Sequence, residues 1–139
     1  MSLYILDTDT FSLFQRNHPA VVRRVGATPP AELAVTILTI EEQVTGRFAF
    51  IRKARRPDEI ALGYQLLTDT VRCSTSMQIL SYNEPAIHRF SGLLSMRLNV
   101  GKMDLRIAAV ALECGAVVVT RNLRDFGRVP NLVIEDWTV

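Results

Sequence analysis

Cysteine, histidine and lysine are scarce in this 139-residue chain. The two cysteines, Cys73 and Cys114, are far apart and fit no metal-ligand spacing. They read as free thiols in buried segments, as expected in a reducing compartment. The two histidines, His18 and His88, fall in outer helical segments and are assigned no catalytic part. Long apolar runs are also missing. The longest, Ile107 to Leu112, is far short of a membrane span. No basic region followed by an apolar stretch opens the chain, and Asp7 interrupts it early, which argues against a secretory leader. A soluble, cytoplasmic protein is the expectation. Fourteen of the sixteen basic residues are arginine, with Lys53 and Lys102 the exceptions, yet the net charge is only +2. Arginine's planar fork suits phosphates, and equally carboxylates at protein interfaces.

What is present is an apolar framework, 48% of the residues, enough to build the core of one domain spanning 1–139. Short apolar runs at Leu3–Leu6, Leu33–Ile37, Gln78–Ser81, Ala116–Thr120 and Leu132–Glu135 read as strands covered on both faces. Helical patterns separate them. Pro57-Asp58-Glu59 makes a good first turn and leads into Ile60, Tyr64, Leu67 and Val71 on one stripe. A second pattern runs from Pro85 through Ile87, Phe90, Leu94 and Leu98. A third, Lys102 to Cys114, is apolar nearly all round, hence buried, and stops at Gly115. Gly26-Ala27-Thr28-Pro29-Pro30 is the clearest loop. Strands alternating with helices predict an α/β fold around a mainly parallel sheet of about five strands. The apolar stripes starting at Ile60 and Ile87 exceed what one side of a small sheet needs, which predicts a homodimer.

Polar residues follow the strands where such a sheet gathers ligands, beyond the carboxyl ends. Leu3-Tyr4-Ile5-Leu6 runs straight into Asp7-Thr8-Asp9-Thr10, and Val118-Val119 into Thr120-Arg121-Asn122. Glu41 and Glu42 open the helix after the second strand, and Asp104 opens the third helical pattern. Each has a purely structural reading beside the chemical one. Asp9 or Thr10 can cap a helix at Phe11, Glu42 stands three after Thr39 as in a capping box, and an acid near a helix start favours the dipole. Together, however, these carboxylates share one sheet edge, and crowded carboxylates stay ionised only beside a cation. Oxygen ligands without His or Cys suit Mg²⁺ or Mn²⁺ rather than zinc. Arg47, Arg52, Lys53, Arg55 and Arg56 form the densest basic stretch, which suits RNA phosphates or a solvated helix end.

Four ordered stretches, LDTDT, TIEEQVTG, GKMDLRIAA and VVVTRNLRDFGRVPNLVIEDW, resemble the PIN domain, specifically the VapC-type toxins of bacterial toxin–antitoxin pairs, over essentially the whole chain. The resemblance implies an α/β/α sandwich and an Mg²⁺- or Mn²⁺-dependent endoribonuclease. It further implies an RNA substrate, with tRNA and initiator tRNA the narrower inference, and inhibition of translation until a VapB-type antitoxin neutralises the toxin. Position by position it assigns Asp7, Glu42 and Asp104 as catalytic metal ligands. Glu42 is chosen over Glu41 because it stands four before Gly46. The family's fourth acid is replaced by Asn122, with Asp125 three residues on. Asn122 is assigned to the catalytic set as a neutral orienter, and Asp9, where relatives often have Asn, as partial compensation. Thr8 and Thr120 are candidates to fix a carboxylate or water. The alternative is a catalytically weak module of the same fold that binds phosphate, RNA or a partner. A flavodoxin-like receiver domain fits less well, because no Lys follows the fourth or fifth strand and Glu42 would have no role.

Overall fold

The computed structural model describes residues 2–139. Its elements in chain order are β1 (Tyr4–Leu6), α1 (Thr8–Gln15), α2 (Pro19–Gly26), β2 (Leu33–Thr36), α3 (Ile37–Lys53), α4 (Pro57–Ser74), β3 (Gln78–Leu80), α5 (Glu84–Ser95), α6 (Lys102–Cys114), β4 (Val117–Val119), α7 (Leu123–Phe126) and β5 (Val133–Glu135). The strands form one sheet in the order β3-β2-β1-β4-β5, and all four pairings are parallel. The α/β class and the five-stranded sheet therefore stand as expected from the sequence.

Alternation along the three central strands sorts side chains to two faces. Ile5, Ala34 and Val118 share one core cluster with Leu93 of α5 and the buried run Ile107–Ala111 of α6. Leu6, Val35 and Val119 turn to the other face and pack with Phe11, Val21 and Trp137. Helical layers on both sides make the α/β/α sandwich. Cover on both faces holds for β1, β2 and β4 but not for β3 and β5, none of whose residues is buried. Those two lie at the sheet edges, where helices reach less far.

Local signals account for most boundaries. Gly115 ends α6 in a left-handed conformation, φ 63°, which costs glycine nothing because it has no Cβ. The pattern from Pro85 stops at Ser95 instead of Leu98, and Arg97 and Asn99 take positive φ in the connection. Two cap assignments change. Asp7 itself caps α1, its side chain accepting from the Thr10 N–H, so neither Asp9 nor Thr10 starts that helix. Thr36, not Thr39, caps α3, so β2 ends one residue sooner, no capping box joins Thr39 to Glu42, and Glu42 lies in the second turn.

Cys73 is half-buried but Cys114 is exposed, because α6 presents its last residues to solvent. Among the described residues no helix is long and apolar enough to cross a membrane. On the stripe from Ile60, Tyr64 and Val71 are each more than half exposed while Leu67 is partly covered, and Ile87 and Leu94 are exposed on α5.

Candidate active site

Parallel register brings the carboxyl ends of β1 and β4 together, since Leu6 pairs with Val119 and the Asp7 N–H donates to the Val119 carbonyl at 3.0 Å. Residues more than a hundred apart in sequence thereby become neighbours. An open pocket of about 560 Å³ lies over these strand ends, lined by Asp7, Thr8, Asp9, Glu42, Asp104, Arg121 and Asn122.

Asp7 is 5% exposed. Its Oδ1 accepts from the Thr10 N–H at 2.8 Å, so the α1 cap also aims the carboxylate. Burial pushes its pKa up, while the Thr120 hydroxyl and the Thr10 N–H pull against that rise. Across the pocket the Thr8 hydroxyl donates to Glu42 Oε1 at 2.5 Å and lies 3.0 Å from the Thr39 hydroxyl. A hydroxyl has one proton, so Thr39 donates to Thr8. This relay fixes Glu42 from the α1 side. Glu41 is exposed and not part of the pocket. Asp104 occupies the first turn of α6. Its pKa is pushed up to about 6, first by burial and then by the charges of Asp7, Glu42 and Asp125. The carboxylates thus lie within electrostatic reach of one another without a compensating buried base.

At the rim, Arg121 donates to both oxygens of Asp9, at 2.6 and 3.1 Å. Asn122 caps α7: its Oδ1 accepts from the Asp125 N–H at 3.3 Å and its Nδ2 donates to Asp125 Oδ2 at 3.0 Å. Asp125 is held in turn by Arg124 and Arg128. The Asn122 hydrogen bond and these guanidinium groups keep its pKa low against a smaller effect of burial.

No protein-family model matches the chain. Ribonuclease VapC1 of Haemophilus influenzae is 28% identical over 98% of both chains. The tRNA(fMet)-specific endonuclease VapC of Salmonella typhimurium is 29% identical over 99% of both. Among solved structures, DNA-bound VapBC from Salmonella typhimurium superposes with a TM-score of 0.80 at 27% identity, covering 99% of each chain. VapBC-1 from nontypeable Haemophilus influenzae gives a TM-score of 0.81 at 24% identity, also covering 99% of each. Over its whole length the chain is similar to VapC ribonucleases and shares the fold of the VapBC toxins.

The site of this VapC-like chain assembles the residues singled out in the sequence, with three differences in role. Asp9 reaches the pocket, but its charge is matched by Arg121, so it does not make good the missing fourth acid. Asn122 reaches it too, while both ends of its amide are engaged by Asp125. Asp125 itself turns to the α7 cap and its arginines. Arg121 was not foreseen as a pocket residue, although its place between Thr120 and Asn122 puts it directly after β4. Neither histidine is there: His18 caps α2, and His88 is an exposed residue on α5 beside Glu84.

The donor set suits a hard divalent cation. Asp7, Glu42 and Asp104 offer only oxygen donors and, among the described residues, have no basic partner, and the Asp104 pKa is raised by burial first and then by the neighbouring carboxylates. Among the described residues no three acidic, imidazole or thiol side chains converge closely enough to enclose an ion on their own.

Proposed function

We propose that this chain is an Mg²⁺- or Mn²⁺-dependent endoribonuclease that acts as the toxin of a toxin–antitoxin pair, hydrolysing RNA phosphodiester bonds and inhibiting translation until a VapB-type antitoxin binds. The observation that carries the reading is the crowding of Asp7, Glu42 and Asp104 in one pocket over the strand ends, where burial and then the charges of Asp7 and Glu42 raise the cost of ionising Asp104. Relatives named as ribonucleases support the reaction class, and VapBC complexes support the partner. The Salmonella relative's name favours tRNA, including the initiator species, as substrate.

Asp7 and Asp104, with Glu42, are the residues that would hold the cation; when bound, it activates water and offsets the charge that builds on the phosphate. The protein's part is positioning. The helix cap fixes Asp7, the Thr39–Thr8 relay fixes Glu42, and the α6 backbone fixes Asp104. Arg121 presents a fork suited to a phosphate at the pocket rim. Asn122 offers a neutral amide, orienting more than binding. The exposed stripes on α4 and α5 support a homodimer.

The test is cleavage of total tRNA with Mn²⁺, with and without EDTA, by the wild type, Asp7→Asn and Asp104→Asn. Activity abolished by EDTA and by either substitution is expected. Undiminished cleavage in EDTA, or by either variant, overturns the assignment.

A further inference from the structure

A second cavity, about 600 Å³, opens between α1, α3 and α4. It is joined to the acidic pocket by a seam that is polar along its length, where helix–helix contacts are ordinarily apolar. The seam begins with Thr8, Thr39 and Glu42. One turn on, the Gln43 amide donates to Gln15 Oε1 at 2.7 Å and to the Ser12 hydroxyl at 3.3 Å, and Gln15 donates back to Gln43 Oε1 at 3.2 Å. Another turn on, Arg47 Nε donates to the Thr70 hydroxyl at 3.1 Å, and Thr70 donates to the Leu66 carbonyl. Gln43, Thr39 and Thr70 are all buried. Burying polar groups in this way gains little stability over an apolar seam, so the seam calls for a use beyond packing.

The cavity supplies one. Arg16 and Arg47 line it, together with Asp69, whose carboxylate accepts from the Gln65 amide. Among the described residues neither arginine forms a salt bridge, whereas Arg24, Arg89 and Arg121 each have a carboxylate. Arg47 commits only Nε, leaving its terminal nitrogens for another acceptor. Leu66 and Cys73 add apolar surface to the lining. Along α1, Thr8 and Ser12 are separated by one turn, roughly 6 Å of axis, about the step from one nucleotide to the next.

We propose that this cavity is a nucleotide subsite for the RNA strand whose scissile phosphate lies at the acidic pocket. Arg16 and Arg47 take the phosphate of a neighbouring nucleotide, and its base lies against Leu66 and Cys73 within reach of the Gln15 amide. The assignment rests on the ribonuclease reading, so its test has one arm independent of cleavage. In the first arm, amide resonances of the isotopically labelled wild-type protein are followed during titration with the four nucleoside 5′-monophosphates and with inorganic phosphate. Shifts at Ser12, Gln15, Arg47 and Leu66, larger with at least one nucleotide than with phosphate, are expected. In the second arm, Arg16→Ala, Arg47→Ala and Arg47→Lys are assayed on a short oligoribonucleotide across a salt series. The alanine variants should raise KM about tenfold with kcat within twofold, and reduce the slope of log affinity against log salt by up to about 0.7, the value for one lost phosphate contact. Arg47→Lys should recover part of the KM loss. Arg16 is exposed, so its variant tests the site without threatening the fold. Nucleotide shifts confined to the acidic pocket, or equal to those from phosphate, overturn the subsite. So does an unchanged KM and salt slope in both alanine variants, including the case where they weaken antitoxin binding instead. Absence of cleavage by the wild type overturns the ribonuclease reading and leaves the first arm to decide the subsite.

Discussion

Removing the Asp104 charge should stabilise the metal-free protein while destroying its activity. The Asp104 carboxyl is pushed up to about 6 by burial and by Asp7, Glu42 and Asp125, about 2 pH units above a free aspartate. At roughly 1.4 kcal/mol each this is at most ~3 kcal/mol of penalty for carrying the charge. The side chain is only half-buried, and solvent screening reduces the figure to ~1.5 kcal/mol. Asp104 also gains about 0.5 kcal/mol from the start of α6, which Asp104→Asn gives up. The net is a gain of ~1 kcal/mol, or about 3 °C in Tm for a chain of this length. The sign with pH follows from the folded pKa being the higher one. Below about pH 4 both states are protonated and the penalty is absent; it grows as pH rises to about 6 and is full above that. The difference between variant and wild type should therefore open between pH 4 and 6 and stay level to pH 8. Thermal unfolding in EDTA across that range measures it. Adding Mn²⁺ to 100 times its Kd should then stabilise the wild type by ~2.7 kcal/mol and the variant far less, reversing the order. A variant less stable than the wild type at pH 7.5 in EDTA, by a margin that does not change with pH, would refute the picture of repelling carboxylates.

Glu42→Gln should cut tRNA cleavage at least tenfold and Glu41→Gln less than twofold, because Glu42 alone lines the pocket; rate measurements on both variants check this. Asn122→Asp should tighten Mn²⁺ binding severalfold by calorimetry, since it adds charge at the pocket. The same change should lower metal-free stability by about 1 kcal/mol, because it replaces the Nδ2 donor to Asp125 with a like charge; unchanged Mn²⁺ affinity would show that residue 122 serves only the α7 cap. Sedimentation at micromolar concentration should give a dimer, and Tyr64→Glu or Val71→Glu on the exposed α4 stripe should give a monomer with its helix content intact.

The alternation of short apolar runs with helical stripes was enough to determine the fold class, because strands buried on both faces leave an unbroken Val/Ile/Leu signature and Gly115 marks where α6 must stop. Asp7, Glu42 and Asp104 were legible as well, since each sits at a fixed offset from a strand end or helix start. What each acid does once there was not. Asp9 and Arg121 lie 112 residues apart, and only the parallel pairing of β1 with β4 makes them an ion pair and removes Asp9 from the free charges of the pocket. Asp125 is three residues from Asn122 by any reading, but the turn of α7 decides that their side chains bond to each other. The cap of α3 moved from Thr39 to Thr36 because β2 ends where its last residue can still pair with Leu80 of β3. Local chemistry allowed either threonine, and the sheet register selected one. The polar seam from Thr8 to Arg47 had no sequence signature at all. Its members are spaced for a helix face on α1 and on α3, and only the packing of those two helices turns two ordinary stripes into one network. Sequence fixes which groups a helix or strand can present along its own length, while the charge, pairing and aim of those groups depend on neighbours that the chain brings together only by folding.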